Sequence, residues 1–219
     1  LFDVGITERN LMGKGQNLSV SGMIAARQSK IDLSFTEPYF MDRDVAAGFD
    51  VFHTAKDNQD ASSFDTKQTG EALRAGYSVT EHLRQSWKQT LKKIKIDNVP
   101  DNASQYVKDA AGSDFVSELS HGIVYDKRDN SVFPTEGYVL RMNNDLAGLG
   151  GSKRYLRNMF KAGKYFSLYD QWILSFRGSV GHILGIGQDV SLHDRFFIGG
   201  DDLRGFATSG VGPRDQATA

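Results

Sequence analysis

The sequence predicts an all-β protein: an antiparallel, up-and-down transmembrane β-barrel, incomplete in this chain, which carries about ten of its strands. Three observations predict it. Apolar and polar residues alternate at period two along nearly the whole chain, compact and long connections between the predicted strands alternate, and aromatic residues gather at the end with the compact connections. Such alternation gives each strand one apolar and one polar face, as a wall between lipid and a polar lumen requires.

Composition narrows the class of protein further. The 219 residues are 39% hydrophobic and 24% charged, with a net charge of -1 and no cysteine. This near-neutral balance does not favour nucleic-acid binding, and without cysteine there is no disulfide framework and no thiolate metal site. No apolar run reaches the ~18 residues of a membrane helix, but barrel strands need only alternating segments of ~10 residues. The chain starts on strand-like sequence without a signal peptide, which suggests a fragment or a processed product.

The clearest predicted strand lies between residues 30 and 36. Ile31, Leu33 and Phe35 alternate with Asp32 and Ser34, so we expect the first three on the outer face and the two polar residues inward. The same period recurs in nine further segments, whose apolar residues include Phe2 and Val4, Leu18 and Val20, Phe49 and Val51, Leu73 and Tyr77, Trp87 and Leu91, Leu119 and Ile123, Leu140 and Met142, Phe160 and Phe166, and Leu174 and Phe176. The only predicted helix is short, near Ser104 to Ala111, and ends at Gly112.

The connections between these strands differ in length according to their parity. The odd-numbered ones are compact: Asn10–Gly15, Glu37–Asp44, Thr80–His82, Lys127–Gly137 and Asp170. The even-numbered ones include the long segments Ala55–Gln68 and Lys95–Ser117, with the short Arg27–Ser29 as the exception. The aromatic residues at the compact end are typical of a membrane-interface girdle: Tyr39, Phe40, Phe133, Tyr138, Tyr169 and Trp172. A soluble β-sandwich, whose strands also alternate, is the structural alternative.

Residues with catalytic or ligand-binding chemistry form no recognisable enzyme or cofactor motif. The five histidines have no metal-ligand spacing, and no nucleophile elbow or phosphate-binding loop is present, so we expect no cofactor and no metal. Asp126 and Asp129 could in principle act as an acid–base pair. Their position in Asp126-Lys127-Arg128-Asp129-Asn130, before the turn residues Pro134 and Gly137, favours turn capping and charge pairing instead.

A second motif lies near the end of the chain. Gly199 and Gly200 precede Asp201 and Asp202, and Arg204-Gly205-Phe206 follows. Glycines permit backbone shapes closed to other residues, so a tight hairpin tip that carries Arg204 and Phe206 is one interpretation. Inside an enclosed space Arg204 would need a carboxylate partner, because unpaired buried charge is costly. A flexible surface loop is the other interpretation.

Taken together, these motifs resemble those of the BamA family, the assembly factors of outer-membrane barrels. The resemblance covers essentially the whole chain and rests on four ordered motifs: Asn10-Leu11-x-Gly13-x-Gly15, Glu37-Pro38-Tyr39-Phe40, Asp126 to Asn130 with Pro134-x-x-Gly137, and Gly199-Gly200 with Arg204-Gly205-Phe206. Any one of these motifs alone would be weak. Their order and spacing along one chain make the resemblance specific.

The resemblance implies a sixteen-stranded barrel preceded by periplasmic docking domains. Residues 1–219 would then be a partial barrel domain, strands two to eleven, with residues 184–219 similar to the sixth extracellular loop. In that family the Arg-Gly-Phe tip folds back into the lumen, and its arginine packs against acids of the inner wall. For Arg204 those acids would lie on strands beyond residue 219. The first strand, the last five strands and the docking domains would be outside this chain.

The function implied is the assembly and insertion of β-barrel proteins into the bacterial outer membrane, without catalysis. Implied partners are unfolded outer-membrane proteins, outer-membrane lipid, and accessory lipoproteins that bind through domains not in this chain; nucleic acid is not expected. The alternatives are an exporter of one secreted protein, a passive porin, or a soluble β-rich binding module or hydrolase that uses Asp126 and Asp129.

Overall fold

Ten antiparallel strands form a single sheet in which every strand pairs with its neighbours in sequence. The computed structural model describes residues 1–57, 59, 64–101, 103, 105–169, 172–191, 194–200, 203–207 and 210–212. The strands are β1 Phe2–Leu11, β2 Gln16–Ala25, β3 Gln28–Glu37, β4 Val45–Asp57, β5 Asp65–Ser78, β6 Leu83–Asp97, β7 Gly112–Asp126, β8 Gly137–Ala147, β9 Tyr155–Tyr169 and β10 Trp172–Gly185. Within the described residues β1 and β10 do not pair with each other, so the sheet is unclosed. The predicted number and order of strands are confirmed.

Helices are few and short. The predicted helix is present as α1, Gln105–Asp109, and a 3-10 turn covers Phe40–Asp42. Residue 104, where we expected the helix to begin, lies outside the described residues, and so does residue 170, the predicted ninth turn. In the part of the chain that the structure describes, no helix has the length and apolar character needed to span a membrane.

The strand register separates an outer, apolar face from an inner, polar face. In β3 and β4 the outer pairs are Leu33 with Val51 and Phe35 with Phe49, whose rings stack at 5.5 Å. Ile31, on the same face, is 61% exposed. The predicted orientation of Ile31, Leu33 and Phe35 is therefore confirmed, because strand residues two apart share a face.

The inner face carries hydrogen-bonded charges between neighbouring strands. Arg74 on β5 donates from Nε to both carboxylate oxygens of Asp50 on β4, at 3.1 and 3.0 Å. Its Nη2 donates to the Ser34 hydroxyl at 2.8 Å and to the Thr36 hydroxyl at 2.7 Å, both on β3. One guanidinium thus links three strands, which is a use of its rigid fork of donors that lysine cannot reproduce.

A small apolar core lies on the inner face at the end opposite the compact turns. Ile94, Val116, Ala147 and Tyr155 are all at most 3% exposed and form one cluster, against which Ile183 packs. The cluster has one residue on each strand from β6 to β10, so it joins the five strands of that half of the sheet.

Two predicted loop boundaries are wrong. We expected long connections over Ala55–Gln68 and Lys95–Ser117, but the strands continue and the connections are residues 58–64 and 98–111. Polar contacts support the ladders there: Lys67 on β5 forms an ion pair with Asp97 on β6 at 3.6 Å, and Lys95 forms one with Asp97 along β6 at 2.9 Å. The first segment is polar on both faces, which gives it the composition of a loop, whereas the second contains the buried Ile96 and Val116. The compact connections are confirmed at residues 12–15, 26–27, 38–44, 79–82 and 127–136.

Candidate functional site: the β7–β8 turn and the Arg204 tip

The turn between β7 and β8, residues 127–136, is built around the Arg128 side chain. Its Nε and Nη2 donate to the two carboxylate oxygens of Asp126 at 2.8 and 2.6 Å, and its Nη1 donates to the Ser131 carbonyl at 3.1 Å. The Arg128 side chain is only 9% exposed. Because the guanidinium binds the Asp126 carboxylate on one side and the Ser131 carbonyl on the other, it fixes the shape of the turn.

Asp129 organises the second half of the same turn. Its carboxylate accepts hydrogen bonds from the Thr135 hydroxyl at 2.6 Å, from the Thr135 N–H at 2.9 Å and from the Glu136 N–H at 3.0 Å. These donors stabilise the charged carboxylate and lower the pKa of Asp129 to about 2. Both acids therefore serve the turn, as the expected capping and charge pairing requires, and neither carboxylate is left available as an acid–base pair.

Gly137 closes the turn, and its position excludes a side chain. Its φ is 96°, and an added Cβ would overlap the Lys127 carbonyl oxygen and lie 2.8 Å from the Arg128 Cα. The Lys127 N–H donates to the Tyr138 carbonyl at 2.8 Å, which brings the two strand ends together at this point. Pro134 lies in the same turn, three residues earlier.

The two early turns named by the resemblance are also closed by side-chain caps. The Gly15 N–H donates to the Asn10 side-chain oxygen at 2.7 Å. The Glu37 carboxylate accepts from the Tyr39 N–H at 3.1 Å and from the Gln16 side-chain amide at 2.7 Å. These residues explain turn geometry and add no chemistry of their own.

Beyond β10 the chain turns back towards the inner face; we name residues 186–200 the return segment. The Ile186 N–H donates to the Arg154 carbonyl at 3.0 Å, and the Gln188 amide donates to the Ser152 carbonyl at 3.2 Å. Further along, the Phe196 ring lies where Gly181 on β10 has no side chain: an added Cβ would be 2.8 Å from its Cε2 and Cζ. By the strand register, Gly181 is on the inner face.

The return segment ends in the tip, residues 199–206, of which 201 and 202 lie outside the described residues. Ile198 and Val211 form an antiparallel bridge, and the Gly200 N–H donates to the Phe206 carbonyl at 3.0 Å. Positive φ values of 134°, 65° and 95° at Gly199, Gly200 and Gly205 allow this close reversal. Among the described residues of the tip, Arg204 is exposed and Phe206 is 54% exposed, and the hairpin tip itself stays a prediction. Arg204 makes no ion pair with any described carboxylate.

The predicted site residues fall into two groups that the structure does not bring together. The first group lies in the β7–β8 turn and the strand ends that flank it, at the end of the sheet with the compact connections. It consists of Asp126, Arg128, Asp129, Pro134 and Gly137. The second group follows β10, which ends at the other end of the sheet, and consists of Gly199, Gly200, Arg204, Gly205 and Phe206. Within the described ranges no cluster of three or more histidine, aspartate or glutamate residues has metal-binding geometry.

One inner-face cluster was missed by the sequence reasoning. The Tyr155 hydroxyl donates to the Glu118 carboxylate, and Arg157 donates to Asp145 at 2.9 Å and to Glu118 at 3.4 Å. Asp194 of the return segment is 4% exposed and lies close enough to Tyr155 to interact with it electrostatically. The pairing of Asp145 with Arg157 across β8 and β9 was the signal that could have found it, since opposite charges at facing positions attract.

Family comparison decides what kind of barrel this sheet belongs to. Residues 10–219 match the family model described as the Omp85 superfamily domain. The chain belongs to the Omp85 superfamily. A relative from Neorickettsia risticii (strain Illinois), named outer membrane protein assembly factor BamA, is 33% identical over 213 residues, which cover 96% of this chain and 29% of the relative. A human relative, named sorting and assembly machinery component 50 homolog, is 26% identical and covers 97% and 46%.

A solved structure shows the same fold. The crystal structure of BamA from Haemophilus ducreyi lacking POTRA domains 1-3 superimposes with a TM-score of 0.86 over 96% of this chain and 44% of that chain, at 24% sequence identity. The open ten-stranded sheet of this Omp85 chain thus has the fold of part of a β-barrel wall, and the expected fold class is confirmed. A single sheet that matches a barrel wall also excludes the β-sandwich alternative. The chain spans less than half the length of each of these relatives.

Proposed function

We propose that this Omp85 chain is barrel wall of a factor that assembles other β-barrel proteins into the bacterial outer membrane. The observation that carries the proposal is that nearly the whole chain matches a bacterial relative named outer membrane protein assembly factor and a human relative named sorting and assembly machinery component. The physical task suits a barrel: an unfolded substrate strand has backbone groups that hydrocarbon cannot satisfy, and an exposed strand edge offers them partners.

The proposed activity is not enzymatic and uses no cofactor. Strand addition exchanges backbone hydrogen bonds, so it needs a template edge and a shaped wall, and no covalent step. The substrates we propose are unfolded outer-membrane proteins. Accessory lipoproteins are proposed as further partners that bind domains outside residues 1–219.

Within this function, Arg204 is proposed to brace the loop inside the complete barrel. Its exposed guanidinium lies on a closed tip, and the return segment beneath that tip is seated on the wall through Phe196 and Gly181. A cation presented from an anchored base is suited to reach a carboxylate on the inner wall, and we place that carboxylate on a strand beyond residue 219. Loss of one partner of a buried ion pair typically costs about 3–5 kcal/mol, and water in the lumen reduces this.

Replacement of Arg204 in the full-length protein tests the proposal. In cells that depend on the variant for growth, Arg204→Ala is expected to lower the amounts of several folded outer-membrane proteins while the variant itself is inserted normally. Arg204→Lys should restore only part of the activity, because an ammonium cannot form the bidentate pair. Protease access to the loop, measured on intact cells, should rise in the same order.

The control is Arg43→Ala, which removes an equally exposed arginine from the compact β3–β4 turn. It should leave outer-membrane protein levels unchanged. Normal levels with Arg204→Ala at normal expression would refute the bracing role. Depletion of the whole protein that removes one secreted protein but no barrel proteins would refute assembly and favour export.

A further inference from the structure

An apolar groove crosses the outer face of β8, β9 and β10. Three successive rows of facing residues define it: Tyr138, Lys164 and Phe176; Leu140, Ala162 and Gly178; and Met142, Phe160 and Val180. The middle row holds two small residues between rows of large ones, and a Cβ added at Gly178 would meet nothing within 4 Å. The residues that line the cavity there include Tyr138, Leu140, Ala162, Lys164, Phe176 and Gly178.

The walls of this groove are apolar and accessible from the membrane side. Phe176 is 60% exposed, Phe160 45% and Met142 41%. Because they alternate with inner-face residues along their strands, all three point to the lipid. A trough of this kind, open along its length and floored by Ala162 and Gly178, fits a linear alkyl chain.

At one end of the groove lies the ammonium group of Lys164, which forms no ion pair with a described carboxylate. The Lys164 Nζ lies 5.4 Å from the centre of the Tyr138 ring and 5.1 Å from that of the Phe166 ring. The side chain is exposed, and none of the described carboxylates forms an ion pair with it. The two rings hold the ammonium by cation–π contact but do not satisfy its three N–H donors, which favour an oxygen anion.

The cation lies level with Tyr138, a residue of the predicted aromatic girdle, because Lys164 faces Tyr138 across β8 and β9. It lies towards the end of the sheet with the compact turns, where the exposed Tyr169 and Trp172 form part of the aromatic girdle. Such girdles mark the interface between hydrocarbon and water, which is also where phosphate groups lie. From Lys164 the small residues Ala162 and Gly178 lead away from those turns, towards the middle of the membrane.

We propose that this groove, defined by the three rows above, binds one glycerophospholipid of the leaflet at the compact-turn end. The lipid phosphate contacts the Lys164 ammonium, and one acyl chain lies over Ala162 and Gly178 between Phe176 and Phe160. Charge complementarity selects an anionic headgroup, while the apolar trough selects a lipid rather than free phosphate. The site is independent of the loop tip and of the assembly role.

Native mass spectrometry of the delipidated full-length protein in an uncharged detergent tests this site. The probe is dipalmitoyl phosphatidylglycerol, compared with dipalmitoylglycerol, which lacks the phosphate. We expect Lys164→Gln to weaken phosphatidylglycerol binding about fivefold, as one cation near the membrane surface contributes, and to abolish the preference over dipalmitoylglycerol. Lys164→Arg should retain binding. Gly178→Leu, which fills the groove, should weaken both lipids.

Two matched variants control for general effects of charge and bulk. Lys161→Gln removes the same charge from the inner face of the same strand, and Gly22→Leu adds the same side chain at an open outer-face position on β2. Neither should change lipid binding. Unchanged phosphatidylglycerol binding by Lys164→Gln, or an equal loss with Lys161→Gln, would overturn the proposal. A photoreactive diazirine on the acyl chain should label peptides from β8 to β10, and labelling spread evenly over all strands would also overturn it.

Discussion

The turn between β7 and β8 depends on a residue without a side chain at position 137. Replacement of Gly137 by Ala puts a methyl group onto the Lys127 carbonyl oxygen and 2.8 Å from the Arg128 Cα, while φ stays at 96°. Backbone atoms cannot rotate away as the end of a flexible side chain can. The turn must therefore shift, and the 2.8 Å hydrogen bond from Lys127 to Tyr138 is the first interaction at risk.

The size of the effect of Gly137→Ala follows from three contributions. A strained backbone conformation costs about 1–3 kcal/mol. Loss of one backbone hydrogen bond adds about 0.5–1.5 kcal/mol. The lower entropy of alanine in the unfolded chain offsets about 0.4–1 kcal/mol. We expect the free energy of unfolding to fall by roughly 0.5–4 kcal/mol, and the hydrogen bonds from Arg128 to Asp126 to weaken in the displaced turn.

Urea unfolding of the full-length protein in lipid vesicles, followed by tryptophan fluorescence, measures this change. Gly22→Ala is the control, because a Cβ at Gly22 would meet nothing within 4 Å; its unfolding midpoint should equal or slightly exceed that of the wild type. If Gly137→Ala unfolds at the wild-type midpoint with an unchanged slope, the contact between position 137 and the Lys127 carbonyl oxygen does not limit stability, and the reasoning is refuted.

Three further predictions concern the turn, the inner face and the sheet edges. The pKa of Asp129 is lowered to about 2, so its stabilising contribution is complete above the unfolded pKa near 4 and is lost as pH falls towards 2; the difference in unfolding midpoint between wild type and Asp129→Asn should shrink over that window and stay constant above it. Arg74→Ala should reduce the free energy of unfolding by about 1–3 kcal/mol, less than for a fully buried pair because Arg74 is 32% exposed, and Arg74→Lys should recover part of it; equal stability of all three proteins would contradict the linking role. The isolated segment 1–219 should neither close nor insert into liposomes as a monomer, because its edge strands present unpaired backbone groups; monomeric protein resistant to protease would show otherwise.

Strand number, order and facing were predictable from the sequence because they depend on local periodicity. Ile31, Leu33 and Phe35 alternate with polar residues, and a register error of one would move all of them to the other face. The compact turns were predictable for a similar reason: Asn10, Glu37 and Asp129 cap backbone groups only a few residues away. Contacts of this kind join residues that are close in sequence, so the sequence alone is enough to predict them.

The limits of strands β4 to β7 were not predictable in the same way. The end of β4 and the start of β5 are polar on both faces, so they lack the alternation that marks a strand. What extends them is pairing between strands, such as the ion pair from Lys67 on β5 to Asp97 on β6. The cluster of Glu118, Tyr155 and Arg157 is of the same kind, because it joins residues 37 and 39 positions apart.

The tip shows why a motif and its location are separate questions. Glycines at 199, 200 and 205 settle the local shape of the chain around Arg204, and that shape is compatible with a surface loop or a lumen plug. A different contact sets the direction of the return segment: Phe196 fills the space that Gly181 leaves on the inner face. In the bracing role proposed for Arg204, steric fit at this base would bring the tip towards the lumen side, and electrostatic pairing at the tip would select its final partner. A loop held in these two steps could release its tip without losing its base, which is the property that a barrel wall needs if it is to change shape around such a loop.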